Sequence, residues 1–175
     1  LAVSGAVGFC SFLAWLRYGY LDTWHGVATL LLLPCFVLGL LRSYQTLQPI
    51  PLLQVIQSHR AKVFDFTQIT LVVTVVGLIS AGAVILIGGS TRVFVPQDLH
   101  YMHLAVDDLS AISPRLVPLI AHDRAGFGGA ILAAGIAMGF CVWFAPLSKS
   151  LWQCLLLAGS AGFGCAIVVH FGVGY

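Results

Sequence analysis

The chain has 175 residues, 59% of them hydrophobic and 8% charged, with a mean hydropathy of +1.00 and a formal net charge of +2. Soluble domains carry roughly 25% charged and about 45–50% apolar residues, and a domain of this size buries only about 70% of its chain surface, so a soluble fold is excluded. The small, unclustered positive charge argues against a nucleic-acid partner.

A bilayer core of about 30 Å is crossed by ~20 largely apolar helical residues. Length without charge is the informative signal, because a membrane helix is apolar all round. Five stretches meet or approach it: residues 1–16, 24–41, 69–89, 125–145 and 151–172. None alternates in polarity over ~10 residues as a barrel strand would. The expectation is an all-α, polytopic transmembrane helix bundle of about five spans, forming one domain over residues 1–175. The chain starts at Leu1 in an apolar run, so it is expected to be a portion of a longer protein.

The second stretch contains Pro34, which deletes one backbone bond and is expected to kink it. Residues 42–68 follow, with Pro49 and Pro51 and then Leu52, Leu53, Val55 and Ile56 among Gln54, Gln57, His59, Arg60 and Lys62. That mixture suits an interfacial helix lying on the headgroups. The third stretch leads into the longest connection, residues 90–124, which is rich in His and Asp. Lys and Arg divide four against four across the two sides. The positive-inside rule therefore decides little, and the two lysines place the long loop outside the cytoplasm as a working orientation.

Lipid supplies no hydrophobic drive between helices, so small residues must bring them together. Candidate contact rows are Gly77 and Ala81; Gly126, Ala130 and Ala134; Ala133, Ala137 and Cys141; Gly135 and Gly139; and Ala158, Gly162 and Ala166, which His170 continues. The five cysteines, Cys10, Cys35, Cys141, Cys154 and Cys165, all lie in apolar runs without a CxxC and read as small packing residues.

All six acids are aspartates, and no Asp, Lys or Arg falls in the middle of an expected span. Ion-coupled transporters and charged pores place such groups there, so neither is expected of this chain by itself. No nucleophile motif, phosphate loop or HExxH is present, and nothing in the sequence decides whether the protein is an enzyme.

The polar residues gather at one membrane face. With five alternating crossings, His25, His122 and His170 emerge together, beside His100 and His103 of the long loop. His25, His122 and His170 are candidate cofactor residues: imidazoles projecting between helices are axial ligands for haem or chlorophyll. The bland alternative is histidines bonded to water or headgroups in an aromatic belt with Trp24 and Tyr175.

After Pro96 a short helix is expected, with Leu99, Met102, Val106 and Leu109 on one face and His100, His103 and Asp107 on the next. Two histidines three apart, with a carboxylate one turn on, form a candidate site for a transition metal; a polar stripe on an interfacial helix has the same look. Asp123 and Arg124 are expected to open the fourth span. Asp123 would cap it, and Arg124 with Gly126, Gly128 and Gly129 would hold an anionic ligand against free N–H groups.

Three functions fit. The first is a membrane subunit or scaffold of a larger assembly, partnered by the bilayer and by other membrane subunits or further spans, and binding a lipid-like or anionic ligand at the His/Asp/Arg face. The second is a redox subunit holding haem, chlorophyll or a metal for electron transport. The third is a permease fragment.

Overall fold

The computed structural model describes residues 16–20, 23–46, 66–144 and 148–173. Most of these are helical, and no strand occurs among them. In chain order the helices are α1 (Thr23–Thr46), α2 (Phe66–Thr91), α3 (Pro96–Met102), α4 (Val106–Ile112), α5 (Leu116–Phe144) and α6 (Lys149–Val173). Three of them, α2, α5 and α6, are long and apolar enough to cross a membrane, and α1 contains a shorter apolar stretch, Thr29–Arg42. Residues 1–15 of the first expected span, with Cys10, and residues 47–65 of the expected interfacial segment lie outside the described residues; the ends of that segment, residues 42–46 and 66–68, belong to α1 and α2. The four described cysteines are unbridged.

The helices form because the backbone has no other way to satisfy its N–H and C=O groups in hydrocarbon. Side-chain hydroxyls solve the same problem locally: Thr70 Oγ1 donates to the Phe66 carbonyl and Thr74 Oγ1 to that of Thr70, both at 2.9 Å, and Thr91 Oγ1 donates to that of Ile87 at 2.6 Å. Helix α1 continues through Pro34.

The molecule divides into two units, residues 1–140 and 141–175. In the first, α2 and α5 pack antiparallel at near-backbone contact. A Cβ added to Gly82 would lie 2.7 Å from Leu132 Cα and 2.9 Å from the Gly128 carbonyl oxygen. One added to Gly128 would lie 2.8 Å from Leu86 Cα, and one on Gly89 would lie 2.8 Å from Ala125 N. Gly135 faces Ile79, and Gly139 faces Val75. The facing pairs 75/139, 79/135, 82/132, 86/128 and 89/125 advance in equal and opposite steps, so one register holds along the whole seam. The steps alternate four and three residues, the spacing of shallow, left-handed helix packing.

This seam corrects the expected contact rows. Gly135 and Gly139 lie on it, but Gly77 and Ala81 are exposed, as are Ala130 and Ala134. A row stepping four residues every time drifts around the helix, whereas alternating four and three keeps residues facing one partner. Glycine is required at Gly82, Gly89 and Gly128, where the opposing atom is backbone and cannot swing aside.

In the second unit, α6 buries none of its residues. Ala158, Gly162 and Ala166 are exposed along it.

Candidate functional site

The polar residues of the first unit concentrate where α2 ends and α5 begins. Helix α2 closes with the Arg92 and Val93 amides both donating to the Gly88 carbonyl, at 3.0 and 2.9 Å. The chain then turns sharply at Val93, where φ is +66° and the Phe94 amide donates to the Arg92 carbonyl at 2.8 Å. This is a γ-turn of the strained, positive-φ kind, occupied by a β-branched residue that rarely tolerates it. Its reward is burial: Val93 and Phe94, with Leu109 and Ala121, form the core of a cap over the hairpin end.

Helices α3 and α4 complete the cap. Each has an aspartate in its first turn that accepts from the backbone before it. The Val95 amide donates to Asp98 Oδ2 at 3.0 Å, and the Ala105 amide to Asp108 Oδ2 at 2.7 Å. Pro96 takes the first helical position of α3, where no N–H is needed. Leu99, Met102 and Leu104 pack on the cap core.

The long loop is therefore a folded lid pinned to α5 by Arg124. Arg124 Nη1 lies 2.7 Å from Asp98 Oδ2 and donates to the Val93 carbonyl at 2.9 Å, with its guanidinium carbon 5.5 Å from the centre of the Phe94 ring. One arginine thus holds the γ-turn, the start of α3 and an aromatic of the core together.

His122 is buried, 3% exposed, and the Tyr20 ring meets its imidazole edge-on at 5.3 Å. Tyr18 packs against the cap core and donates its hydroxyl to the Thr91 carbonyl at 3.0 Å. Residues 18–20 therefore close the site from the N-terminal side, where Gly19 takes a φ of +72°. Ser90 Oγ is also buried, with no hydrogen-bond partner among the described residues.

Several expectations need correction. Helix α5 starts at Leu116, not at residue 125, so His122, Asp123 and Arg124 lie well inside it. At 29 residues and about 1.5 Å per residue it exceeds the ~30 Å hydrocarbon, which leaves its polar first turns room beyond the apolar run. Asp123 is consequently no cap: it is exposed, and Arg124 pairs with Asp98 instead. Nor does Arg124 stand beside free helix N–H groups, because those at residues 122–129 lie within the helix.

The expected single helix over His100, His103 and Asp107 is broken. Helix α3 ends at Met102, and His103 adopts the left-handed conformation, φ 53° and ψ 35°. The Leu104 amide then closes back to the Leu99 carbonyl at 3.2 Å. Asp107 falls in the next helix, separated by the break from the histidine face of α3. Val106, assigned to the apolar face, is exposed for the same reason, while Leu109 is buried. The His100 and His103 ring centres remain 6.0 Å apart, tilted by 49°. Among the described residues no three His, Cys or acidic side chains converge as a metal-binding group.

The side chain of His25 lies outside the described residues. His170, in the second unit, is exposed, with its Nδ1 2.8 Å from the Ala166 carbonyl oxygen. Tyr18, Tyr20, Val93 and Phe94 are the contributors that sequence reasoning missed. Val93 and Phe94 give no local polar signal, and the tyrosines reach the site only through the fold.

No protein-family model, curated protein or solved structure matches the chain.

Proposed function

We propose that the chain is a membrane-embedded scaffold subunit of a larger assembly, with no catalysis of its own. One observation carries this reading: the polar cluster at the hairpin end is committed to holding the protein together. Arg124 contacts Asp98 and the Val93 carbonyl rather than standing open to an anion. Both contacts run through Nη1 to the protein itself, so the placement of Arg124 is accounted for without an external anion. The exposed length of α6, where Leu157, Val168 and Phe171 are 70–84% exposed, offers ample surface to lipid and partner helices.

The test is mild extraction from the native membrane followed by native electrophoresis and mass spectrometry. Migration as a defined hetero-assembly supports the scaffold reading. A lone chain whose proteoliposomes carry solute flux abolished by Arg124→Gln would replace it with the permease reading.

A redox reading rests on one separate feature. The contact of His170 Nδ1 with a backbone carbonyl selects the tautomer whose Nε2 lone pair suits an axial ligand. A Soret or chlorin band in the purified protein, lost on His170→Ala, would favour it; a colourless sample would remove it.

A further inference from the structure

We propose that the lid, residues 93–115, is embedded in the phospholipid headgroup layer, where Val95, Tyr101 and Ile112 meet lipid rather than open water. The proposal rests on α2 and α5 crossing a bilayer, and it holds whether or not the chain is a scaffold.

The seam sets the depth. The apolar stretch of α2 ends at Gly89 and that of α5 begins at Ala125, and these two residues face each other. Both helices therefore leave the hydrocarbon at one level. Residues 69–89 measure about 30 Å along a helix, the thickness of the hydrocarbon itself. No spare apolar length is left to shift that boundary along the hairpin.

The lid starts just above it. Its core joins Val93, Phe94 and Leu109 to Ala121, and Ala121 stands about 6 Å beyond Ala125 along α5. The headgroup layer of one leaflet is about 5–7 Å deep. Helices α3 and α4 have 7 residues each, and each is anchored to the core at its middle, by Leu99 and Leu109. Their ends lie within about 5 Å of those anchors, which keeps the lid near that depth.

The surface of the lid fits the layer. Ile112 is 69% exposed, Tyr101 55% and Val95 48%, although the core beneath them is closed. Such area left in water costs about 25 cal/mol per Å², and the headgroup–acyl boundary removes it from water. On α2 below, Val84 and Ile87 are 70% and 61% exposed, so a lipid-facing surface runs up to the boundary and the lid continues it. Tyrosine, with an apolar ring and a polar tip, is enriched there. Arg92, exposed immediately after α2, stands at the depth of the lipid phosphates, where its stem meets apolar surface and its charge meets the headgroups. The backbone also suits a half-dry layer. The Val95 and Ala105 amides donate to the Asp98 and Asp108 carboxylates, and the Leu104 and Ser113 amides to the Leu99 and Leu109 carbonyls.

The experiment places the full chain in phosphatidylcholine nanodiscs doped with a photoreactive lipid. The diazirine is carried either on the headgroup or at the end of an acyl chain, and a water-soluble diazirine is the third probe. Trypsin cuts after Arg92, Arg115 and Arg124, so the lid is released as one peptide, residues 93–115, apart from residues 125–149 of the α5 crossing. The headgroup probe should label residues 93–115 several-fold more than the acyl-end probe does, with adducts on Val95, Tyr101 or Ile112. The acyl-end probe should prefer residues 125–149 by a similar margin. Acyl-end labelling of 125–149 with the lid labelled by the water-soluble probe alone overturns the proposal and leaves the crossing intact. Absence of acyl-end labelling from both 63–92 and 125–149 removes the crossing and the proposal with it. Headgroup labelling of the lid that is present in nanodiscs but lost in native membranes would assign this surface to a protein partner instead, and so also overturns it.

Discussion

Asp98 Oδ2 accepts two donors from two different elements: the Val95 amide at 3.0 Å, which starts α3, and Arg124 Nη1 at 2.7 Å, which belongs to α5. A single carboxylate oxygen therefore couples the folding of the lid to its attachment. Removing it should do more damage than removing the arginine alone.

Asp98→Ala is expected to destabilise by roughly 2–3 kcal/mol, combining a lost charged hydrogen bond with a lost cap. Arg124→Gln should cost about 1–2 kcal/mol, because the arginine side chain is 34% exposed and partial solvation weakens the pair. A double-mutant cycle by denaturant titration in micelles checks this. Equal single effects, or additivity between them, would contradict the shared-oxygen arrangement.

Glycine along the α2–α5 seam should be far less replaceable than glycine elsewhere. Gly128→Ala drives a methyl into the Leu86 backbone, and overpacking of this kind costs about 1–3 kcal/mol. Gly77→Ala, which meets nothing within 4 Å, should be neutral or stabilising by up to about 1 kcal/mol through helix propensity. Thermal melts of the two variants in one detergent give the comparison, and similar losses in both would rule out close backbone packing as the cause.

His122 should behave as a core residue. His122→Ala removes a ring that is 3% exposed and is expected to destabilise by roughly 2–5 kcal/mol, in line with large-to-small core changes. Tyr20→Leu keeps apolar bulk but loses the edge contact and should cost about 0.5–1.5 kcal/mol. His170→Ala, at an exposed position, should stay within about 0.5 kcal/mol. Melting temperatures order the three, and a His122→Ala melt matching that of His170→Ala would refute the buried placement.

Much of the candidate site was legible as composition but not as geometry. Arg124, His122 and Asp98 stand out in the sequence because charged and polar residues are scarce there. Their pairing did not, since adjacent Asp123 is the nearer carboxylate in sequence and only the folded lid brings Asp98 to Arg124. The start of α5 was misplaced because His122, Asp123 and Arg124 resemble a loop. Burial of one and pairing of another let that trio sit inside a helix.

By itself the sequence determined helices long and apolar enough for a bilayer, because unbroken apolar length needs no knowledge of neighbours. Pro96 likewise announced the start of a short helix through local backbone chemistry alone. Which small residues form the seam, which carboxylate meets Arg124 and where the histidine helix breaks were decided by tertiary structure. Each depends on distances between residues far apart in the chain, and lipid-facing and partner-facing small residues are chemically alike until a second backbone arrives to distinguish them.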